Sequence, residues 1–484
     1  MSSGELPLLQ YHRANALGSG AYGSVLTVYN DEGEQFALKL FNEEDSDDEE
    51  EEEDYEEEEE SEEEQEDEAS CEEEDYYEEE TQPMDLGALR EISILRILRH
   101  ENAHPNIIEI SDVKQPSDVD QEEDGDVSMK YHGICMPLYS RTMTDIIKIS
   151  SSLSKKTKVE IAHGLLCAIA HLHHNGIIHR DIKSDNIMMD MDEHGNYKSV
   201  LIDFSLAKVI VPSRFYKMST KSELLETKEM QDCTNLQGED THSPSVGTPT
   251  YRAPECIDEE KKYGLPSDIY SIGVVLLELL RGSCIEAFKD KAAVKLVNDA
   301  LSELPDQPFA NLVRRLLEKD PLKRMTAKMA LEHPLFEKFQ LNGKNQDKTF
   351  RSIHMGEALP LEVSDMSGLD KKMVKKRIEL IQKIASALDA ENPMTTQAAL
   401  CYSLQLSELD DCLDNLSESQ GLVDCVVLAG RFFEKELWDL SNIEELDRGV
   451  FKKCDWSQES YIDTESTLWM MMDFCLYPRE LLLQ

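Results

Sequence analysis

Apolar positions recur at helical spacing in two separate parts of the chain. Residues 86–98 carry apolar side chains every three or four positions, and Asp85 stands where a helix-capping residue is expected. Near the C-terminus, residues 375–388, 395–409 and 422–434 follow the same period. The third of these segments is apolar almost all round, which is typical of a helix at the centre of a bundle. The pattern therefore predicts one helix in the first half and a C-terminal helical domain.

Strand-like runs lie on both sides of the first helix. Residues 36–39 read as a strand whose alternating pattern ends on Lys39. Residues 134–139 read as a buried strand that is broken by Pro137. Upstream, residues 17–25 form a Gly-rich turn between two further strand-like runs. Glycines in such a turn let backbone N–H groups approach phosphates closely. The first half is therefore predicted to combine a sheet with a helix.

Charge is concentrated in one segment. The 484 residues are 40% hydrophobic, which is enough for two cored domains, and the net charge is −50. Residues 43–80 alone hold 29 acidic residues among 38, with no Lys or Arg. Such a block of like charge is predicted to be disordered and solvated. The overall acidity argues against direct binding of nucleic acid.

Cysteine usage and hydropathy suggest an intracellular chain. Eleven Cys are scattered without C-x-x-C spacing, so reduced thiols in the cytoplasm or nucleus are expected rather than a disulfide framework or a zinc site. The N-terminus lacks a basic start followed by an apolar run. No stretch reaches 18 apolar residues, so no signal peptide, membrane span or membrane partner is predicted.

The most specific chemistry lies at residues 179–186, which read His-Arg-Asp-Ile-Lys-Ser-Asp-Asn, followed by Ile-Asp-Phe-Ser at 202–205. An Asp five residues before an Asn, with a second Asp in an apolar strand downstream, fits phosphoryl transfer from magnesium-bound ATP. The chain resembles a protein kinase. Further segments at 247–255, 267–273, 320–324 and 332–336 resemble the end of the activation segment, the helix that anchors the catalytic loop and the closing helices of that family.

The resemblance implies an α+β bilobal protein kinase fold over residues 1–340. Within it, residues 43–82 are an acidic insert and residues 203–255 a long activation segment. By the same resemblance, Asp181 orients the substrate hydroxyl and accepts its proton, and Lys183 neutralises the transferred phosphoryl group. Mg²⁺ is assigned to Asn186 and Asp203.

The kinase resemblance assigns the ATP contacts to four places. These are the Gly-rich turn, the neighbouring strands, the first helix and the hinge, which is the segment 136–139. Lys39 holds the α- and β-phosphates, and Glu91 pairs with Lys39. The full set is Leu17, Gly18, Ser19, Gly20, Ala21, Tyr22, Gly23, Val25, Ala37, Lys39, Glu91, Met136, Leu138 and Tyr139.

Residues 88–95 resemble the partner-binding helix of cyclin-dependent kinases, although the stretch 281–321 is too short for their usual insertion. This likeness implies preference for Ser or Thr followed by Pro, since Gly247 and Arg252 match the residues that those kinases use. By the kinase resemblance Thr248 joins Asp181 and Lys183 in the catalytic set, and Lys183 and Thr248 favour Ser/Thr over Tyr substrates. The cations Arg90, Arg180 and Lys208 are implied to converge on a phosphorylated residue. Thr241, Ser243 and Ser245 are the candidates for that residue.

The C-terminal helices resemble the first five-helix box of cyclins. Residues 366–484 are therefore expected to be an all-α cyclin-like domain, joined to the kinase by a linker at 341–365. Arg431 and Glu465 match the polar pair that reaches the kinase helix in cyclins. The implied function is a Ser/Thr protein kinase activated in cis, a fusion of a kind found in large DNA viruses. A generic helical bundle remains the alternative for this region.

Two other functions stay open at this stage. Ser205 replaces the Gly that usually follows Asp203-Phe204, and loss of that Gly is compatible with a pseudokinase or nucleotide-binding scaffold. Alternatively, the acidic insert makes the chain an interaction protein that captures basic partners. If the chain is a kinase activated in cis, its expected partners are protein substrates with Ser or Thr targets and its own cyclin-like domain.

Overall fold

The computed structural model describes most of the kinase-like region and the core of the C-terminal helices. The described residues are 11–20, 23–30, 32–41, 86–99, 103–114, 133–191, 196–209, 247–257, 264–287, 289–341, 371–388, 390, 393–406, 418–433, 461 and 465. The predicted acidic insert at 43–82, most of the linker and the three candidate phosphorylation sites lie outside these residues.

A five-stranded antiparallel sheet forms the N-terminal lobe. Its strands are β1 (Tyr11–Gly20), β2 (Gly23–Asn30), β3 (Gln35–Leu40), β4 (Asp112–Lys114) and β5 (Gly133–Pro137), in the order β1-β2-β3-β5-β4. The predicted Gly-rich turn does join two strands. The strand expected over residues 134–139 ends earlier, at Pro137, because proline cannot donate to a ladder and is confined to strand ends and edges.

Helix α1 (Leu86–Ile97) packs in this lobe with its bounds almost as predicted. Its apolar residues are buried, and so are the polar Glu91 and Ser93. A charged side chain inside a helix that faces the core must have a partner, because a buried unpaired charge is costly. Glu91 therefore marks the face of α1 at which the site is built.

The larger lobe is mainly helical, with short strands around the catalytic loop. Strands β6 (Arg141–Thr142), β8 (Ile187–Met191) and β9 (Tyr197–Leu201) form one sheet, and β7 (Ile177–Ile178) pairs with β10 (Lys208–Val209). The helices are α2 (Met143–Lys148), α3 (Lys155–His174), α4 (Leu265–Arg281), α5 (Asp290–Ser302), α6 (Pro308–Leu316), α7 (Ala327–Leu331) and α8 (Pro334–Lys338).

Helix α4 is the buried centre of this lobe and anchors the catalytic loop. The carboxylate of Asp268 accepts the backbone N–H groups of His179 and Arg180, each at 3.0 Å. It also accepts His173 Nε2 at 3.1 Å. Arg180 has a left-handed φ of 68°, which a non-glycine residue adopts only when its surroundings hold it there. The loop that carries the candidate catalytic residues is thus fixed by one buried acid.

Three C-terminal helices pack on one another: α9 (Lys371–Ala387), α10 (Pro393–Leu406) and α11 (Glu418–Phe433). All three predicted helices are present. Each begins two to four residues before its predicted start. In α11 the added residues 418–421 carry no apolar side chain, so the apolar period could not reveal them. The sequence also predicts a last helix that ends in residues 472–478, and these residues lie outside the described part of the chain. No helix in the described part of the chain is long and apolar enough to span a bilayer.

Helix α11 is central to this bundle and also lies against α1. Its side chains at 422–432 are buried, and they belong to the same continuous hydrophobic cluster as the buried residues of α1. The C-terminal helices therefore share a core with the N-terminal lobe at the helix that carries Glu91.

Candidate active site

An ion-pair bridge joins three segments that are far apart in sequence. Lys39 Nζ, on β3, donates to Glu91 Oε2 on α1 at 2.7 Å and to Asp203 Oδ1, after β9, at 2.9 Å. Burial lowers the pKa of Lys39, but the two carboxylates outweigh burial and leave that pKa raised above its ordinary value. The lysine is therefore charged, and its position depends on both acids.

Glu91 also fixes the segment that follows β9. Its Oε1 accepts the backbone N–H of Phe204 at 3.1 Å, and its side chain is 1% exposed. Both carboxylate oxygens of Glu91 are thus engaged, one by Lys39 and one by the Phe204 backbone. Helix α1 cannot move away from the sheet without breaking both contacts.

Asp203 is held in an uncommon backbone conformation, with φ at 64°. Ser205 Oγ donates to Asp203 Oδ1 at 2.8 Å, on the same oxygen that accepts Lys39. Burial raises the pKa of Asp203, but the charge and hydrogen bond of Lys39 together with the Ser205 hydroxyl overcome this and lower it to about 2. The carboxylate is ionised, as a metal ligand must be.

The catalytic loop surrounds Asp181 with hydrogen-bond donors. Asp181 Oδ2 accepts Lys183 Nζ at 2.9 Å and Asn186 Nδ2 at 3.0 Å. Its Oδ1 accepts both the backbone N–H and the hydroxyl of Thr248, each at 3.0 Å. The carboxylate orientation is therefore fixed from two sides, by the catalytic loop and by the segment before α4. The structure brings together Asp181, Lys183 and Thr248, the three residues that the sequence assigned to catalysis.

Asn186 and Asp203 fit a magnesium site that is completed by phosphate. The Nδ2 group of Asn186 donates to the carbonyl and the carboxylate of Asp181, which turns its amide oxygen away as a potential ligand. The Ile202 N–H donates to the Asn186 carbonyl at 3.0 Å and keeps the two segments adjacent. Mg²⁺ prefers oxygen ligands and is usually held by one or two protein groups plus substrate phosphates. No cluster of three metal-ligating acids, His or Cys occurs within the described residues.

The residues assigned to ATP lie on neighbouring strands. Val25 on β2 is opposite Lys39, and Ala37 on β3 is opposite Met136 on β5. In the hairpin, Gly18 pairs with Val25 and Gly20 with Gly23, so the glycines lie at the Lys39 end of the sheet. Leu17 and Ser19 lie on β1, and Leu138 and Tyr139 follow β5 half-buried. Ala21 and Tyr22 are outside the described residues.

A second cluster shapes the segment before α4. Gly247 has a φ of 83°, and a Cβ added there would lie 2.6 Å from the Arg180 carbonyl oxygen, so only glycine fits. Arg252 donates to the Gly247 carbonyl and, through Nη1, to both carboxylate oxygens of Asp290 at 2.7 and 2.8 Å. The Gly247 carbonyl is therefore already occupied by an arginine.

Sequence reasoning missed a buried acid beneath this segment. Glu278 is 0% exposed, and it accepts the Tyr251 hydroxyl at 3.1 Å and the Ile285 N–H at 2.8 Å. Ser184 Oγ lies 2.8 Å from the same Tyr251 hydroxyl. Burial raises the pKa of Glu278 to about 7, against the opposing effect of its two donors. A Glu within the apolar run of α4 was the only sequence signal that could have identified it.

Of the three cations expected to bind a phosphorylated residue, two lie close to the catalytic loop. Arg180 Nε donates to the Leu206 carbonyl at 2.6 Å, and Lys208 on β10 pairs with Ile178 on β7. Arg90 is half-buried on α1, which contacts β10. The structure therefore shows Arg180 and Lys208 beside the catalytic loop and Arg90 on a helix that contacts β10, while Thr241, Ser243 and Ser245 lie outside the described residues.

Arg431 and Glu465, expected to reach the kinase helix, form an ion pair with each other. Glu465 Oε1 also accepts the Tyr461 hydroxyl at 2.6 Å, and Arg431, Tyr461 and Glu465 are all buried. Arg431 lies near the end of α11, the helix that contacts α1. The pair therefore ties α11 to Glu465, and through Glu465 to Tyr461.

Comparison with known proteins agrees with this geometry. The sequence profile of the family described as "Protein kinase domain" matches residues 69–336, more than half of the chain. The chain belongs to the protein kinase family. Membership implies a bilobal α/β fold and the use of ATP, as the sequence predicted. Strands β1 to β3 precede the matched residues, and the structure joins them to the kinase domain through β5 and through Lys39.

Three relatives show how far the likeness extends. The hormonally up-regulated neu tumor-associated kinase of Mus musculus is 29% identical over 273 residues, which cover 51% of this chain and 34% of the mouse protein. The serine/threonine-protein kinase DCLK3 of Mus musculus is 29% identical over 257 residues, 51% of this chain and 27% of that protein. The SNF1-like protein kinase ssp2 of Schizosaccharomyces pombe is 27% identical over 260 residues, 52% of this chain and 37% of that protein. This chain spans about a third of the length of these relatives.

The buried Glu278 predicts a pH-dependent stability difference. The folded chain holds a proton on Glu278 up to a pH of about 7, whereas the unfolded chain releases it near the ordinary pKa of 4.5. The contribution of Glu278 to folding stability is therefore fully present below pH 4.5 and is lost as the pH rises to about 7. Glu278→Gln removes this loss, so its melting temperature should rise relative to wild type between about pH 5 and pH 8.

Thermal unfolding of both proteins across this range measures the effect. The exposed Glu332→Gln serves as the matched control and should follow the wild-type profile. A difference between Glu278→Gln and wild type that stays constant with pH would show that burial does not hold the proton on Glu278.

Proposed function

We propose that this chain is an ATP-dependent Ser/Thr protein kinase. The observation that supports the proposal most is the bridge from Lys39 to Glu91 and Asp203, because it joins the proposed phosphate-binding cation directly to the proposed metal-binding carboxylate. The donor set around Asp181 supports the same function, because it fixes a carboxylate where a substrate hydroxyl must lose its proton.

In the proposed mechanism, Asp181 orients the hydroxyl of the target residue and accepts its proton. Lys183, 2.9 Å from Asp181 Oδ2, is placed to neutralise charge on the transferred phosphoryl group. Lys39 holds the α- and β-phosphates while Glu91 keeps it extended. When bound between Asn186, Asp203 and the phosphates, Mg²⁺ would neutralise phosphate charge. Thr248 holds Asp181 from the substrate side and supports Ser/Thr rather than Tyr targets, in line with the name of the relative DCLK3.

Preference for proline after the target residue is part of the proposal. A substrate residue bound beside Gly247 would normally place its N–H near that carbonyl. Arg252 already donates to the carbonyl and is itself held by Asp290, so an incoming N–H finds no acceptor. Proline has no N–H and loses nothing, whereas other residues bury an unsatisfied donor at about 1–3 kcal/mol.

The C-terminal helices are proposed to activate the kinase in cis, as a cyclin-like domain would. Support comes from the packing of α11 against α1, the helix whose Glu91 must reach Lys39. A shared hydrophobic core at this place stabilises the inward position of α1. The buried Arg431–Glu465 pair holds the last turn of α11, the helix that makes this contact.

Asp181→Asn tests the catalytic assignment. The amide keeps the size of the side chain but is a very weak base, so transfer of labelled phosphate from ATP to a Ser peptide should fall at least a hundredfold. Asp185→Asn is the matched control, because Asp185 is exposed two residues from Lys183 and has no role in the mechanism. Equal turnover in Asp181→Asn would refute the assignment, and no transfer by the wild type would favour a pseudokinase.

Three otherwise identical peptides test the proposed target sequence. They carry Pro, Ala or N-methylalanine after the target Ser. The Pro peptide should exceed the Ala peptide about tenfold in kcat/KM, and N-methylalanine should resemble Pro because it also lacks the N–H. If N-methylalanine behaves like Ala, the missing hydrogen bond is not the cause. A peptide library that excludes Pro would contradict the preference itself.

A protease site placed in the linker between residues 350 and 360 tests activation in cis. The folded chain is cut, and its activity is followed on dilution. Linked domains hold each other at an effective concentration on the order of millimolar, which dilution does not change. Activity of the cut protein should therefore fall at least tenfold on dilution, while the uncut protein keeps its specific activity.

Adding back the purified C-terminal fragment should restore activity of the diluted, cut protein. If the two fragments separate on gel filtration and the kinase fragment keeps full activity, the C-terminal helices are not an activator. In that case a docking or targeting bundle is the better interpretation.

A further inference from the structure

Ser205 stands where the family resemblance expects a glycine, directly after Asp203 and Phe204. We propose that Ser205 is a positioning residue whose hydroxyl holds the Asp203 carboxylate in the orientation required by a magnesium–nucleotide complex. This inference rests on the proposed function, since it concerns the same metal-binding carboxylate. It replaces the expectation that loss of the glycine impairs the site.

The contacts of Asp203 support this role. Ser205 Oγ lies 2.8 Å from Oδ1, and the serine is buried. Lys39 donates to the same oxygen at 2.9 Å. Within the described residues, Oδ2 receives no comparable donor, and the Asp203 side chain keeps 21% exposure. The two donors therefore orient the carboxylate through one oxygen and leave the other for a metal ion.

The backbone conformation of Asp203 gives the hydrogen bond from Ser205 a purpose. A non-glycine residue in the left-handed region is strained and persists only when its surroundings hold it. Phe204 supplies one restraint through its N–H bond to Glu91, and the Ala207 N–H closes a turn onto the Phe204 carbonyl at 2.9 Å. Ser205 supplies the side-chain restraint from within that turn. Ser205 itself has no positive φ, so a side chain at this position causes no strain.

The hydroxyl matters most when nucleotide binds. Lys39 must then direct its charge to phosphates, and the Asp203 carboxylate loses part of that contact. The Ser205 bond is local, spanning two residues, and does not depend on Lys39. It can therefore keep the carboxylate in place during the exchange, which glycine could not do. The expected effect of removing it is weaker metal affinity rather than loss of fold.

Ser205→Ala and Ser205→Cys are matched variants of the full chain. Alanine removes the donor, and cysteine keeps a similar shape with a much weaker donor. Thermal stabilisation by a non-hydrolysable ATP analogue is measured while Mg²⁺ is titrated, and again in EDTA. The Mg²⁺ concentration for half-maximal stabilisation should rise about tenfold in Ser205→Ala, with Ser205→Cys between Ala and wild type. Melting temperatures and analogue binding in EDTA should match wild type.

The outcomes separate the two proposals. If magnesium and analogue fail to stabilise the wild type, the proposed function fails. If the wild type responds and Ser205→Ala needs the same Mg²⁺ concentration, only the role of Ser205 is overturned. A uniform loss of stability in EDTA, with an unchanged Mg²⁺ requirement, would also overturn it, because that is what a purely structural serine would give.

Discussion

The rest of the site depends on one buried cation. Lys39 joins β3 to α1 through Glu91 and to the segment after β9 through Asp203. Each of these acids has a further partner, the Phe204 N–H for Glu91 and the Ser205 hydroxyl for Asp203. Removing one member leaves buried charge uncompensated, which is more costly than the pair is stabilising. The two lobes are therefore coupled by electrostatics as much as by packing.

The same coupling bears on the proposed activation by the C-terminal helices. A helix that carries one half of a buried ion pair has two states, paired and unpaired, and whatever packs on it shifts the balance between them. In this chain α11 shares a hydrophobic core with α1. In the segment before α4, Arg252 donates to the Gly247 carbonyl and is itself held by Asp290, so this contact also depends on a second one.

Local patterns predicted the elements well, and long-range partners poorly. The predicted bounds of helix α1 differ from the observed bounds by one residue, because its apolar period is unbroken. The motif around Asp181 predicted residues of one loop, and the structure shows them in contact. Glu278 and Asp290 were not found, because Tyr251 and Arg252 reach them across 27 and 38 residues and no short motif encodes such contacts. The predicted end of the strand at Tyr139 was wrong. Apolar residues continue past Pro137, but the backbone hydrogen bonding of the strand ends there.

The connection between β3 and α1 has a thermodynamic consequence. Forty-four residues, 42–85, separate Phe41 from Leu86, where a short loop would suffice to join the two elements. The entropy of closing a flexible loop grows only with the logarithm of its length, by about 0.6 kcal/mol for each doubling. For an insert of the flexible kind that the sequence predicts here, the extra length adds little to the free-energy cost of placing α1. Within the described residues, the place of α1 is set by the two contacts of Glu91 and by the buried apolar face of the helix, so whatever strengthens or weakens these contacts acts directly on the position of Glu91.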